Sequence, residues 1–178
     1  DIMLDLETLS TRPDSVIVTI GAVKFNPFGE DVDTDRGFYV RIDVDEQLAL
    51  GRHVLDSTVE WWETQPEDVR EEALGEGGRI GLAEFTQQLN KFLVGADAIW
   101  CQGPAFDIVI LENLYRQLET PIPWNYWQIR DSRTLFQVHG DPRAKERKGA
   151  HNALIDCYYQ ARGVQDIYKQ VGIKKREW

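Results

Sequence analysis

The stretch Asp1-Ile2-Met3-Leu4-Asp5-Leu6-Glu7-Thr8 opens the chain as an apolar strand carrying two acids one residue apart. Side chains alternate along a strand, so Asp5 and Glu7 point to the same face. Two carboxylates on one face repel each other and resist burial unless something positive lies between them. A divalent metal meets that need, because hard cations such as Mg²⁺ take oxygen ligands and keep open positions for phosphates. The same Asp-x-Glu also occurs on solvated strand edges, so the remaining chain has to decide between the two.

Residues 15–25, Ser-Val-Ile-Val-Thr-Ile-Gly-Ala-Val-Lys-Phe, are rich in β-branched types, and Asn26-Pro27-Phe28-Gly29 ends them in a turn. Residues 37–42 alternate and predict a third strand. Three strands with short connections imply an antiparallel meander. Further on, Asp56-Ser57-Thr58 predicts the cap of a short helix that carries Trp61 and Trp62 and stops at Pro66. Residues 75–78 form a flexible turn, and Leu82, Ala83, Phe85, Leu89, Phe92 and Leu93 have helical spacing. A short buried strand is expected at 98–101, ended by Gly103-Pro104. Helices are expected at 106–118, at 133–138 behind the cap Asp131-Ser132, and at 152–171, with a polar loop at 139–149. Strands first, then alternating helix and strand, predict an α/β fold with a mixed sheet flanked by helices.

At 178 residues the chain fits one domain, 1–178, large enough for a substantial core. No apolar run approaches the roughly 20 residues that span a bilayer, and no membrane partner is expected. A basic-then-apolar leader is missing too, which predicts a cytoplasmic location. The start at Asp1 without Met predicts a few further residues upstream. Cys101 and Cys157 show no metal-binding spacing and sit in apolar segments, so buried free thiols are expected. A net charge of −10 argues against non-specific duplex binding, which needs a basic surface. It leaves room for a nucleic acid held at one end by metals. One basic group, Arg143, Lys145, Arg147 and Lys148, stands just before His151. Another, Lys174-Lys175-Arg176, has the character of a solvated tail.

Three features join the Asp-x-Glu. Asp107 follows a strand and a turn in Trp100-Cys-Gln-Gly-Pro-Ala-Phe-Asp107. The carboxyl end of a sheet strand faces the crevice where α/β folds hold ligands, although a first-turn Asp also complements a helix dipole. Asp156 falls mid-helix among apolar residues, where an acid is unfavourable unless exposed or given a cationic partner. His151 stands five residues earlier at the helix entrance, an offset that puts the two on adjacent faces rather than in contact. Two metals roughly 3.5–4 Å apart can clamp the attacking and leaving oxygens of an in-line displacement at phosphorus, and they need several carboxylates. A histidine suits the accompanying general base near neutral pH.

In this order, Asp5 and Glu7, then Asp107, then His151 and Asp156, the residues resemble the DEDDh branch of the DnaQ-like (RNase T-like) 3′→5′ exonucleases. The likeness extends over essentially the whole chain. Thr58-Val-Glu-Trp-Trp62, Gly103-Pro-Ala-Phe-Asp107 and Pro123-Trp-Asn-Tyr-Trp-Gln-Ile-Arg-Asp-Ser-Arg-Thr134 resemble the subgroup of phage and prophage DexA-type exonucleases and a mycobacterial 3′ exoribonuclease. Gln102 departs from it, since Asn before the Gly is more usual.

The resemblance implies a ribonuclease H-like three-layer fold with a mixed five-stranded sheet whose first three strands are antiparallel. It also implies two divalent cations, Mg²⁺ or Mn²⁺. Asp5, Glu7 and Asp156 would hold one directly, while Asp5 bridges to the second and Asp107 supports it. His151 would activate the attacking water, and the backbone around Leu6 and Thr8 would face the terminal nucleotide. The partner implied is the 3′ end of single-stranded or short RNA or DNA, released as nucleoside 5′-monophosphates. A homodimer is implied by analogy. Two other readings stay open, a non-catalytic nucleic-acid-binding module of the same fold and a ribonuclease H-like endonuclease.

Aromatic and basic residues surround these acids. Adjacent on one helix, Trp61 and Trp62 point in different directions. One of them, or Phe106, can stack on a base, and each can equally pack in the core. Arg130 and Arg133 flank Asp131, which suits an internal ion pair as well as a phosphate contact. Phe25, Phe38, Tyr39, Trp124, Tyr126 and Trp127 are expected in packing or a subunit contact.

Overall fold

Apolar residues on both faces make Ile2–Thr8 (β1) an interior strand, with Ile2, Leu4 and Leu6 in one core cluster and Met3 in another. The computed structural model describes residues 1–141 and 151–175. Strands β2 (Ile17–Lys24) and β3 (Phe38–Ile42) extend the sheet antiparallel on one side of β1, which is the expected meander. On the other side β5 (Ile99–Cys101) and β6 (Ile129–Asp131) run parallel, and β4 (Arg79–Ile80) pairs parallel with β3. The order is β4-β3-β2-β1-β5-β6, six strands rather than the five expected. The short strands β4 and β6 hold two and three residues, too few for alternation to show. They are strands because β3 and β5 pair with them.

Seven helices occur among the described residues: α1 (Val44–Ala49), α2 (Asp56–Glu63), α3 (Glu67–Leu74), α4 (Leu82–Leu93), α5 (Asp107–Gln117), α6 (Ser132–His139) and α7 (Ala153–Val171). Helices α4 and α5 cover the Ile2, Leu4 and Leu6 face, and α6 and α7 pack on the Met3 face with Val23, Phe25 and Trp100. Their helical faces meet the sheet because apolar residues recur along them at helical spacing. Helices α1 and α3 were not anticipated. Pro66 caps the start of α3, with α2 already ended at Glu63. The expected cap of α2 is also different. Leu55 takes that position because its N–H donates to Leu9 O at 2.9 Å, which holds it extended, and Asp56-Ser57-Thr58 fall inside the first turn.

At α6 the expected cap is in place, with Asp131 accepting from the Arg133 N–H at 3.0 Å. At α7 Asn152 accepts from the N–H groups of Leu154 and Ile155, both at 3.1 Å. Cys101 and Cys157 are buried free thiols, and burial pushes both well above the usual thiol range. No helix among the described residues is long and apolar enough to cross a membrane. Arg143, Lys145, Arg147, Lys148 and Arg176 lie outside the described residues.

Candidate active site

Strand alternation sends Asp5 and Glu7 toward α7, on the same face as Met3. From the first turns of α7, Asp156 points back at them, and one carboxylate oxygen from each of the three lies within 4.8 Å of the others. Asp156 and Glu7 are buried. Three acids brought this close could hold a cation among them, and an all-oxygen donor set suits a hard divalent ion.

The chain turns sharply just before α7. His151 has φ 68°, one of two non-glycine residues in the left-handed region among the described residues. Its backbone N–H donates to Asp156 Oδ2 at 3.0 Å. The expected separation of the two side chains is therefore bridged through the main chain, which ties the histidine to the cluster. The imidazole meets the Trp61 ring edge-on, with centroids 4.9 Å apart and planes at 84°.

Asp107 is the first residue of α5, reached through the turn at Gly103, whose φ is 116°. It stands beside the three-carboxylate group. Burial raises its carboxyl well above the usual range and the charge of Asp5 raises it further, while the N–H groups of Asp107 and Leu6 and the Arg133 guanidinium oppose them. A carboxyl so placed resists ionising.

The paired tryptophans divide as their adjacency requires. Trp62 is buried against Val16, Val18 and Ala73, and its indole N–H donates to Thr8 O at 3.0 Å. Trp61 stays 39% exposed beside His151. Phe106 packs against the core beneath α5. Leu6 is a core side chain, and the Thr8 hydroxyl donates to Ser10 O at 2.8 Å, so both turn their side chains inward.

The two arginines do not pair with Asp131 among the described residues. Arg130 donates to Trp127 O at 2.6 Å and Ile129 O at 2.9 Å, whereas Arg133 donates to Gln102 O at 2.8 Å. The Arg133 guanidinium lies against Gly103, where a Cβ would stand 3.3 Å from its nitrogen. A cation thus sits on the rim next to Asp107.

One participant was missed. Gln160, a turn beyond Asp156, donates from Nε2 to Asp5 Oδ1 at 3.0 Å. Its i+4 offset from Asp156 was the available signal.

The family described as 3′-5′ exoribonuclease Rv2179c-like domain matches residues 1–168. An exodeoxyribonuclease of Enterobacteria phage T4 is 26% identical over 191 residues, covering 88% of this chain and 84% of the phage protein. Among solved structures, cell-death related nuclease 4 (CRN-4) has a TM-score of 0.56 at 14% identity over 95% of this chain, which spans 63% of that protein's length. Exonuclease X in complex with 5′ overhanging duplex DNA gives 0.53 at 16% identity, covering 97% of this chain and 93% of that one. A full-length 3′-exonuclease gives 0.55 at 10% identity, covering 98% and 83%. At such identities the structural likeness speaks for the fold alone.

Proposed function

This chain belongs to the Rv2179c-like 3′-5′ exoribonuclease family, and from that membership we propose that residues 1–178 act as one domain that removes nucleoside 5′-monophosphates from the 3′ end of single-stranded or short nucleic acid. The observation that carries the reading is the convergence of Asp5, Glu7 and Asp156 oxygens within 4.8 Å, from a strand and a helix far apart in sequence. Two divalent cations, Mg²⁺ or Mn²⁺, would supply charge stabilisation for the attacking and leaving oxygens.

Asp5, Glu7 and Asp156 would hold those ions, with Asp107 completing the set once it ionises. His151 accepts the proton as water oxygen attacks the terminal phosphorus, and the 3′-oxygen of the penultimate nucleotide leaves with the electron pair of the broken bond. Trp61 offers its exposed ring to a base beside that histidine, and Arg133 offers a cation to a phosphate of the entering strand. The backbone around Leu6 and Thr8 would face the terminal nucleotide. A net charge of −10 favours short or single-stranded ends over duplex tracking.

A second copy of the chain would dock where Tyr126 and Trp127, 84% and 60% exposed, flank the edge strand β6, and light scattering at micromolar concentration tests it. The cytoplasm would keep both buried thiols reduced.

The deciding experiment offers 5′-labelled single-stranded and duplex RNA and DNA with Mg²⁺ or Mn²⁺. Ladders shortening from the 3′ end are expected, and Asp5→Ala should abolish them. Internal cleavage products would point to an endonuclease, binding without products to a non-catalytic module, and full activity of Asp5→Ala would overturn the mechanism.

A further inference from the structure

Helix α7 sends a second polar side chain toward β1. Gln160 follows Asp156 by one helical turn, so the two leave the helix on the same face. Gln160 is only 3% exposed, and its Nε2 meets Asp5 Oδ1 at 3.0 Å. The amide has one possible orientation there. An ionised carboxylate only accepts, so the NH₂ group must face Asp5 and Oε1 must face away. Oε1 is then buried with no hydrogen-bond partner among the described residues.

A buried acceptor without a donor is costly, and simple packing does not account for it. Gln165, on the same helix, makes the contrast. It is equally buried, but its Nε2 donates to Asn26 O at 2.9 Å and Asp31 O at 3.1 Å and anchors the loop after β2. Gln165 secures the fold, whereas Gln160 spends its amide on an acid of the cluster.

We propose that Gln160 is a positioning residue of the metal centre: Nε2 sets the orientation of the Asp5 carboxylate, and Oε1 awaits a donor from the hydration of a bound cation. The inference rests on the reading of Asp5, Glu7 and Asp156 as metal ligands. Asp5 belongs to the three-carboxylate group and also stands beside Asp107, so its orientation bears on both. Hydrogen bonds behind a ligating carboxylate fix its geometry, and losing one typically weakens metal binding by about 10–100-fold.

The test is Mn²⁺ binding, read by electron paramagnetic resonance on the full chain without nucleic acid. Gln160→Met keeps the length and removes both hydrogen-bonding groups, while Gln160→Asn keeps the amide one methylene short of Asp5. Each should weaken Mn²⁺ binding by about tenfold or more. Each should also recover much of its kcat on a labelled oligonucleotide at saturating Mn²⁺. Gln165→Met should lower Tm and bind Mn²⁺ as the unaltered chain does. Unchanged Mn²⁺ affinity in either folded Gln160 variant, or an equal loss in Gln165→Met, overturns the proposal. Should the Met variant fail to fold, the Asn variant decides. If the unaltered chain itself binds no Mn²⁺, the metal reading of the site fails first, which is a different result.

Discussion

Gly21 faces Asp5 across the β1–β2 ladder, and a Cβ on Gly21 would stand 2.3 Å from the carbonyl carbon of Ala153. The missing side chain is what lets the first turn of α7 lie directly on the sheet. Cys157 confirms how close the two run, with its thiol 3.2 Å from Gly21 O. The helix that carries Asp156 therefore approaches Asp5 because a glycine occupies the neighbouring strand.

Gly21→Ala should separate the halves of the site. The obstructing atoms are backbone, so no rotamer change relieves the clash and α7 must move. Overpacking of this kind costs about 1–3 kcal/mol. A displacement near 1 Å at reacting groups costs about 100-fold in rate. Thermal melts and kcat on a labelled oligonucleotide should fall together, and a variant with unaltered kcat would refute the geometric role of Gly21.

His151→Ala removes the proposed base but leaves the three clustered carboxylates in place. The rate should drop by about 10²–10⁴-fold, the usual worth of general base catalysis. Mn²⁺ affinity should stay close to that of the unaltered chain. A variant that loses metal binding along with the rate would make His151 a structural element of the cluster.

Asp107 should leave a signature in the metal-free protein. Its folded pKa is raised, chiefly by burial and then by Asp5, so the folded state keeps a proton that the unfolded chain gives up near pH 3.9. Stability linked to this group is fully present below that pH and is lost as the pH rises toward the folded value. In chelator, Tm should therefore decline with rising pH, and Asp107→Asn should flatten the decline and melt higher at neutral pH. Added Mn²⁺ should restore the unaltered chain and not the variant. Parallel pH profiles for the two proteins would contradict this account.

Arg133→Ala tests the rim cation. KM should rise by more than kcat falls, since the guanidinium offers a phosphate contact and also favours the ionised form of Asp107 beside it. The salt dependence of KM should also flatten, by about 0.7 in log–log slope for one contact to a single strand. An unchanged salt slope would leave Arg133 as a brace for the Gln102 carbonyl.

The sequence by itself determined which side chains share a face. Alternation along β1 aligned Asp5 with Glu7, helical spacing located α4, α5 and α7, and Asp131 capped α6 as its chemistry dictates. Those are local consequences of a period of two or 3.6 and of short-range hydrogen bonds. Tertiary structure alone decided which faces meet. It assigned Trp62 to the core and left Trp61 exposed beside His151, and it turned Arg133 toward Gln102 and Asp107 instead of Asp131. It also made strands of β4 and β6, segments too short to carry a pattern, and put Gln160 behind Asp5. Each depends on how closely one element packs against another, and for α7 against β2 that distance is set by the absence of a side chain at Gly21.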